Sequence, residues 1–286
     1  MRIHSLLGAA ALLLASLAQA ATPLVKSGET VAFMGDSITQ FGAQTPGGYV
    51  NLVVSGLAAN GIDIKFIPAG ISGHKSDQML ARVDAQVIAK KPQWMTLSCG
   101  VNDVWHGAKG VPLDAYKKNI TEIVDRCAKA DIKVVILTST QIQLPVTNEN
   151  NTKLIAYNDF LRQLAKERNL PLADLSVDMV AAQDALKAAG ITNRVLTVDG
   201  VHMNAYGNIM MAKGVLKAFG LDDAQLATAE AKWQEIPDAF QSVAKVKLTL
   251  KELAALEAIA AQKKVTVDVL ISDLATASVK ASIAGK

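Results

Sequence analysis

Between residue 31 and about residue 219, the chain alternates short apolar runs with longer segments whose apolar residues recur at helical spacing. The short runs fit buried strands, and the longer segments fit amphipathic helices. Alternation of this kind predicts a parallel sheet with helices on both faces. The predicted strands are 31–36, 62–68, 94–99, 133–139 and 170–175, and the predicted helices are 48–60, 75–90, 113–130, 150–168 and 205–219.

The residues within each strand indicate its place in the sheet. The second run, IDIKFIP, interrupts its apolar residues with Asp63 and Lys65, whereas VAFMG and KVVILT are almost continuously apolar. A continuously apolar strand is buried on both faces and belongs in the centre of a parallel sheet, so the second strand is expected at an edge. This pattern favours a three-layer α/β/α fold with five parallel strands in the flavodoxin-like order 2-1-3-4-5.

The pattern changes to helix alone from about residue 222. Thr249 and Glu252 can form a capping box before one amphipathic stretch, and Thr266 can cap a second. We therefore divide the chain into a main domain, residues 21–221, and a small helical C-terminal extension, residues 222–286. The hairpin is expected to pack as an extension of the main domain, with a partner-binding module as the alternative.

The first twenty residues, MRIHSLLGAAALLLASLAQA, are typical of a secretory signal peptide. They combine an arginine, an apolar stretch shorter than the roughly 20 residues of a membrane span, and Ala-Gln-Ala at 18–20 as a cleavage site. A buried or membrane-spanning helix is the alternative. We predict an exported protein, periplasmic or secreted, whose mature chain begins near Ala21. No later segment is apolar enough to span a membrane.

Composition narrows the class of protein further. Half of the 286 residues are hydrophobic, which is enough for a sizeable core. The 29 basic and 26 acidic residues nearly balance and form no run of five like charges, so nucleic acid is not an expected partner. The two cysteines, Cys99 and Cys127, cannot form a disulfide framework or a cysteine-rich metal site. Both are expected in the core, although one bridge between them stays open in an oxidising compartment.

Residues suited to catalysis follow several of the predicted strands. In VAFMGDSITQFG, residues 31–42, a buried strand ends at Asp36 and Ser37. In open parallel sheets, functional groups gather at the carboxyl ends of the strands. A hydroxyl, an imidazole, a carboxylate, an amide and glycine backbones are the parts of a serine hydrolase. The further candidates are Gly70 in PAGISGHKS, Asn102 in GVND, and Asp199 and His202 in VDGVHMNAYG, before the last predicted helix of the main domain.

Each of these groups has a chemical reason to be present. Ser37 is a weak nucleophile as an alcohol and needs His202 as a base. Asp199, three residues before His202, is close enough in sequence to hold the other ring nitrogen. The oxyanion that forms in acyl transfer needs donors fixed in advance, which the N–H groups of Ser37 and Gly70 and the amide of Asn102 can supply.

Four sequence blocks, GDSIT, AGISG, GVND and DGVH, occur in this order within residues 31–208. Together they resemble the blocks of the SGNH (GDSL-type) hydrolase family. The resemblance implies a three-layer α/β/α fold, ester hydrolysis and no cofactor. The chain departs from the family at Met203, where a proline often follows the histidine. The implied roles are nucleophile for Ser37, triad partners for Asp199 and His202, and oxyanion hole for Gly70 and Asn102.

Other candidate residues carry weaker signals. Ser72 also follows a strand, but His74 stands where a nucleophile elbow, G-x-S-x-G, has its second glycine. Trp105 and His106 are candidate substrate contacts at the mouth of the cleft, with a simple loop role as the alternative. The histidines His74, His106 and His202 lack the spacing of a zinc site, so no metal is expected.

We expect an exported serine esterase that hydrolyses carboxylic esters through an acyl-enzyme. Export favours removal of O-acetyl groups from a polysaccharide or oligosaccharide, so the expected partner is a small ester or an acetylated glycan. A lysophospholipase- or thioesterase-type lipid esterase is placed second because the sequence shows no long apolar lid. A noncatalytic glycan-binding protein is disfavoured by the intact triad residues, and a phosphate-binding domain by the acid at position 36.

Overall fold

The computed structural model describes residues 22–190, 196–240, 246 and 248–285. The predicted signal peptide, residues 1–20, lies outside the described residues. Among the helices that are described, none combines the length and the apolar character needed to cross a bilayer.

Five parallel strands form the sheet: β1 (Thr30–Gly35), β2 (Lys65–Gly70), β3 (Trp94–Ser98), β4 (Lys133–Leu137) and β5 (Leu172–Ala173). Their order is β2-β1-β3-β4-β5, which confirms the predicted order. The edge strand β2 is partly exposed and begins with the charged Lys65, whereas β3 is buried along its whole length. The most apolar runs therefore form the interior of the sheet.

Helices cover the sheet in two groups. In the described residues up to Phe240 they are α1 (Ser37–Gln44), α2 (Tyr49–Ala59), α3 (Ser76–Gln86), α4 (Val101–Trp105), α5 (Leu113–Lys129), α6 (Glu149–Glu167), α7 (Leu175–Ala188), α8 (Ala205–Ala218) and α9 (Asp223–Trp233). Two further helices, α10 (Leu250–Lys263) and α11 (Val267–Ala284), follow in the C-terminal part of the chain. One group packs α2 against α8 and α9, and the other packs α5 against α3 and α6. Crossovers between parallel strands are right-handed as a rule, so the strand order puts these groups on opposite faces of the sheet. This confirms the three-layer α/β/α fold.

The carboxyl ends of three neighbouring strands lie level with one another. Gly35 at the end of β1 pairs in register with Gly70 at the end of β2, and Met34 pairs with Leu97 near the end of β3. The residues that follow these strands therefore emerge together at one edge of the sheet. Two helices that the sequence analysis did not predict, α1 and α4, begin almost at once after β1 and β3 and bring their first turns to this edge.

The chain separates into two compact units that divide after Phe240. Helix α9 lies in the first unit, because the indole N–H of Trp233 donates to the carbonyl oxygen of Leu52 at 2.9 Å and both Trp233 and Leu226 are buried. The sequence instead assigns α9 to the C-terminal extension, residues 222–286. A domain boundary after residue 221 stays a prediction.

The second unit is a helical hairpin of α10 and α11, which pack against each other. The capping box of Thr249 and Glu252 forms as expected at the start of α10. The hydroxyl oxygen of Thr266 accepts the backbone N–H of Val269 at 3.3 Å and so caps α11. The structure therefore confirms both predicted helix starts.

Both cysteines are free thiols in the core. Cys127 Sγ lies 3.9 Å from Met95 Sδ, and Cys99 Sγ lies 3.5 Å from Asp103 Oδ2. Burial raises the pKa of Cys127 to about 12 and the pKa of Cys99 well above its ordinary value. These thiols are therefore poor nucleophiles, which fits the core role expected for them.

Candidate active site

Three of the predicted residues lie in a hydrogen-bonded chain. His202 Nε2 is 2.8 Å from Ser37 Oγ, and His202 Nδ1 is 2.6 Å from Asp199 Oδ2. Ser37 begins α1, while Asp199 and His202 lie in the turn that leads to α8. A hydroxyl, an imidazole and a carboxylate in this order allow the imidazole to take the proton of the hydroxyl.

Asp36 fixes the start of α1 and thereby the position of Ser37. Its Oδ1 accepts the backbone N–H of Ile38 at 2.9 Å, as an N-cap. Asp36 is only 2% exposed. Burial raises the pKa of this carboxyl to about 6, although the Ile38 N–H and the nearby His202 act in the opposite direction. Helix α1 therefore starts from a buried acid that lies within electrostatic range of the imidazole.

A tight turn holds Asp199 and His202 together. Asp199 Oδ1 accepts the backbone N–H of Val201 at 3.0 Å and that of His202 at 2.8 Å, which leaves Oδ2 for the imidazole. Gly200 adopts a φ of +100°, where glycine is favoured. Partial burial opposes ionisation of Asp199, but hydrogen bonds from the His202 ring and from the two N–H groups hold its pKa below the usual range. An anionic Asp199 keeps Nδ1 protonated, so Nε2 faces Ser37 as the acceptor.

Gly70 lies where the end of β2 touches α1. A Cβ at this position would overlap the backbone nitrogen of Gln40 and would come within 2.8 Å of the carbonyl carbon of Thr39. Only glycine therefore allows β2 to approach the backbone of α1 this closely. The approach places the Gly70 backbone beside the helix that begins with Ser37.

Asn102 lies in the first turn of α4. The preceding Gly100 has a φ of +138°, and a Cβ there would also collide with the hydroxyl of Ser139. Asn102 Nδ2 donates to Asp36 Oδ2 and to the carbonyl oxygen of His74, each at 3.3 Å. Both hydrogen bonds are long for N–H···O. The amide is thus placed next to the start of α1 but is held loosely.

Asp103, the neighbour of Asn102, has a separate structural role. Its Oδ1 accepts the hydroxyl of Ser76 at 2.6 Å and the backbone N–H of Ser76 at 3.0 Å, and Asp103 is 2% exposed. Burial raises the pKa of Asp103, and the bonds from Ser76 offset part of that effect. This carboxyl therefore ties α4 to the start of α3.

Arg82 is a buried residue of this region that sequence reasoning missed. Its guanidinium donates to the carbonyl oxygen of Gly35 at 2.8 Å and to that of Ala69 at 2.7 Å. Gly35 is two residues before Ser37, and Ala69 directly precedes Gly70. One planar fork thus joins the two strand ends that carry predicted site residues. The sequence contained one signal for it, a charged residue among the buried positions of α3.

Phe41, one helical turn after Ser37, packs on the imidazole of His202. The two ring centroids are 5.1 Å apart, with an angle of 57° between the ring planes. Residues four apart on a helix share a face, so the hydroxyl and the phenyl ring both point towards His202. Phe41 is nevertheless 43% exposed, so its outer side is available to a substrate. The only sequence signal for Phe41 is its spacing of four residues from Ser37 in SITQF.

The remaining candidates have other surroundings. Ser72 Oγ donates to Gln40 Oε1 at 2.7 Å, and an amide oxygen is not a base. The structure therefore pairs Ser37, and not Ser72, with an imidazole. Trp105 and His106 are exposed at the end of α4, and their contact with substrate stays a prediction. In the part of the chain that is described, no group of three or more His, Cys, Asp or Glu side chains could hold a metal ion.

Comparison with known protein families identifies the family to which the chain belongs. The GDSL-like Lipase/Acylhydrolase family matches residues 33–208, the segment from β1 into α8 that contains every predicted site residue. The chain belongs to this family. The GDSL-like hydrolase described here is therefore a serine hydrolase that acts on carboxylic ester bonds. The noncatalytic and phosphate-binding alternatives are set aside.

Characterised relatives of this GDSL-like hydrolase include esterases. An acetylxylan esterase of Geobacillus stearothermophilus is 29% identical over 218 residues, which cover 69% of this chain and 97% of that protein. The crystal structure of an acetylxylan esterase from the same organism matches with a TM-score of 0.62, at 28% identity, over 69% of this chain and 97% of that one. The crystal structure of the acetyl xylan esterase AlAXEase matches with a TM-score of 0.61, at 33% identity, over 66% of this chain and 98% of that one.

Proposed function

We propose that this GDSL-like hydrolase is an exported acetylesterase that removes O-acetyl groups from a polysaccharide or oligosaccharide. The observation that carries the proposal is the hydrogen-bonded chain from Asp199 through His202 to Ser37. The similarity to acetylxylan esterases supports the choice of an acetylated glycan. The signal-peptide pattern of residues 1–20 supports a periplasmic or secreted location, where such glycans are accessible.

In the acylation step, Ser37 Oγ attacks the ester carbonyl carbon while His202 Nε2 takes the hydroxyl proton. Their separation of 2.8 Å is within reach for direct proton transfer. Asp199 remains ionised and stabilises the imidazolium that forms. The intermediate then expels the sugar oxygen, which receives the proton from His202, and the acetyl group stays on Ser37.

Negative charge that develops on the carbonyl oxygen needs donors in place. The backbone N–H of Ser37 lies in the first turn of α1, where N–H groups lack an intrahelical acceptor and the helix dipole is positive. We assign the oxyanion to this N–H, the N–H of Gly70 and the side-chain amide of Asn102. The two 3.3 Å bonds of Asn102 are weak enough for the amide to turn towards the oxyanion at small cost.

In the deacylation step, a water molecule attacks the acetyl group on Ser37. His202, neutral again, takes a proton from that water and then returns it to Ser37 Oγ as acetate leaves. The net reaction consumes one water and releases acetate and the free sugar hydroxyl. The same imidazole thus acts once as base and once as acid in each step.

Release of acetate is the direct test of this function. The mature protein, beginning at Ala21, is incubated with acetylated xylan, acetylated pectin and an acetylated algal polysaccharide, and acetate is measured by NMR. We expect release from at least one of them and faster hydrolysis of p-nitrophenyl acetate than of the butyrate or octanoate ester. The Ser37→Ala variant should be inactive, should not react with a fluorophosphonate probe, and should keep its melting temperature.

Two results would change the assignment. A preference for octanoate, for a lysophospholipid or for an acyl-thioester would favour the lipid-esterase alternative. Labelling of the Ser37→Ala variant, or a label that maps to Ser72 in the wild type, would mean that Ser37 is not the nucleophile.

A further inference from the structure

The loop between β2 and α3, residues 70–75, carries two groups that serve the proposed oxyanion hole. The backbone N–H of Gly70 is one of the proposed donors. The carbonyl oxygen of His74 accepts the side-chain amide of Asn102, which is another donor, at 3.3 Å. A shift of the 70–75 loop would therefore displace both donors at once.

Both ends of the 70–75 loop are anchored in the fold. At its start, the N–H of Ile71 donates to the carbonyl oxygen of Gly35 at 3.1 Å and so continues the pairing of β2 with β1. At its end, the carboxyl of Asp103 accepts the N–H of the buried Ser76 at 3.0 Å and its hydroxyl at 2.6 Å. The middle of the loop depends on a separate contact.

That middle part is an exposed turn. The N–H of His74 donates to the carbonyl oxygen of Ile71 at 3.2 Å, which closes a turn with Ser72 and Gly73 at its centre. Gly73 has a φ of +76°, a conformation that glycine adopts in tight turns without strain. Both central residues are exposed, and a Cβ on Gly73 would meet no atom within 4 Å. Packing therefore does little to hold this turn in place.

Gln40 attaches the turn to α1, the helix that begins with Ser37. Its Oε1 accepts both the backbone N–H and the hydroxyl of Ser72, each at 2.7 Å. These partners fix the orientation of the amide, because a backbone N–H only donates and must face the amide oxygen. The backbone of Gln40 also meets the start of the loop, since a Cβ on Gly70 would lie 2.3 Å from the Gln40 nitrogen. Gln40 thus holds the loop at two points.

We propose that Gln40 is a positioning residue that holds the 70–75 loop against α1 through Ser72. It thereby keeps the N–H of Gly70 and the carbonyl of His74 in place relative to Ser37. The inference rests on the proposed function, because it concerns the oxyanion donors assigned there. The N–H···O bond of 2.7 Å is at the short end of the usual range, as expected of a contact that restrains the turn.

Gln40→Met tests this role, because it removes the acceptor and keeps the length of the side chain. On p-nitrophenyl acetate, kcat per active site should fall about tenfold, since the donors are displaced and not removed. KM should change little. The melting temperature should fall only slightly, because water can replace Gln40 at the exposed Ser72. Gln163→Met is the matched control and should leave kcat unchanged, because Gln163 donates to Glu167 at an exposed position of α6.

A boronic acid measures the oxyanion hole without turnover. Phenylboronic acid forms a tetrahedral adduct with an active serine, and one oxygen of the adduct occupies the place of the oxyanion. Its inhibition constant should rise in Gln40→Met by the same factor by which kcat/KM falls. A merely structural role would lower the number of sites that a fluorophosphonate titrates and leave this inhibition constant unchanged. An unchanged inhibition constant would overturn the proposal.

A double-mutant cycle tests whether Gln40 acts through Ser72. Ser72→Ala removes the hydroxyl bond and keeps the N–H bond, so it should lower kcat less than Gln40→Met does. The double variant should be no slower than Gln40→Met alone, because the hydroxyl has lost its acceptor in both. If the losses of the two single variants instead multiply in the double variant, the two residues act independently and the proposal is wrong.

The outcomes distinguish this proposal from the function on which it rests. If the wild type releases acetate from an acetylated polysaccharide but Gln40→Met equals it per active site, the positioning role is wrong and the proposed function stands. If Gln40→Met shows the expected losses on p-nitrophenyl acetate but no polysaccharide releases acetate, the positioning role stands and the glycan assignment is wrong. A wild type that hydrolyses neither kind of ester would overturn both.

Discussion

The side-chain amide of Asn102 donates to the carboxylate of Asp36 at 3.3 Å, so the proposed oxyanion donor is bonded to the residue that caps α1. Asp36 is buried, and its pKa is raised to about 6. Above that pH it carries a negative charge close to the Asn102 amide and to the ring of His202. One buried carboxyl thus contacts both the start of α1 and the amide of Asn102.

Replacement of Asp36 by Asn should flatten the pH dependence of stability. Between the ordinary pKa of 3.8 and the folded value of about 6, the native state binds more protons than the unfolded state. The wild type should therefore lose stability as the pH rises through this window, by up to about 3 kcal/mol. Asparagine keeps an oxygen that can accept the N–H of Ile38. Urea unfolding from pH 4 to pH 7 measures the effect, and equal slopes for both proteins would contradict it.

The same substitution should slow the reaction at neutral pH. Asp36→Asn removes a negative charge that stabilises the imidazolium of His202, so kcat should fall while KM changes little. Initial rates on p-nitrophenyl acetate at pH 8 measure this. A variant that is more stable at pH 7 and equally fast would show that the charge of Asp36 is not used in catalysis.

Asn102→Ala should lower kcat by about 10²–10³, as the loss of one preorganised oxyanion donor typically does. KM should change far less, because the amide acts on charge that develops after binding. Asp103→Asn is the neighbouring control, since Asp103 bonds to Ser76 at the start of α3. Steady-state kinetics on both variants measure the two losses of kcat. A larger loss in Asp103→Asn would mean that the roles assigned to Asn102 and Asp103 must be exchanged.

Arg82→Met should reduce kcat for the molecules that remain folded, because the guanidinium no longer bridges the carbonyl oxygens at the ends of β1 and β2. Arg82→Lys should recover part of that loss, since a single ammonium can reach one of the two carbonyl oxygens but cannot form the fork. Active-site titration with a fluorophosphonate gives the folded fraction, so kcat is compared per competent site.

Arg126→Met is the matched control for Arg82, because Arg126 makes its ion pairs with Asp84 and Glu122 at the surface. It should leave kcat per site unchanged. If Arg82→Met lowers the melting temperature but leaves kcat per site at the wild-type value, Arg82 supports the fold only and does not position the strand ends.

Gly70→Ala should abolish activity and destabilise the protein by about 1–3 kcal/mol or more, because the new Cβ would overlap the backbone of α1 at Gln40. Backbone cannot move aside as a flexible side chain can. Circular dichroism melting and the rate on p-nitrophenyl acetate measure the two effects. Gly285→Ala, whose Cβ would meet its nearest neighbour at an ordinary 3.5 Å, is the control and should behave as the wild type.

The sheet and helices α2, α3, α5, α6 and α8 could be predicted because each carries a periodic signal over many residues. Helix α7 was not predicted although it has 14 residues, because only Leu175 and Met179 on it are buried and its apolar stripe is short. The edge position of β2 followed from two charged residues, Asp63 and Lys65. Helices α1 and α4 could not be predicted in this way. The first has the largely polar sequence SITQFGAQ, and the second has only five residues, so neither gives a clear apolar period.

The residues of the hydrogen-bonded chain could be predicted because each lies in a short sequence motif. Asp199 and His202 are three residues apart, and Ser37 directly follows a strand end. Arg82 could not be predicted, because its role depends on what distant elements place beside it. The guanidinium of Arg82 reaches a carbonyl 47 residues earlier in the chain, and no sequence pattern encodes that contact.

Helix α1 makes several separate contacts with the rest of the site within two turns. Its Ser37 hydroxyl faces the imidazole, its Gln40 oxygen accepts both the N–H and the hydroxyl of Ser72, and its Phe41 ring packs on His202. A substitution chosen to change one of these contacts will disturb the others. Laboratory evolution of this enzyme towards new esters should therefore accumulate changes at exposed positions, such as Leu144 and Val146, and leave α1 almost unchanged.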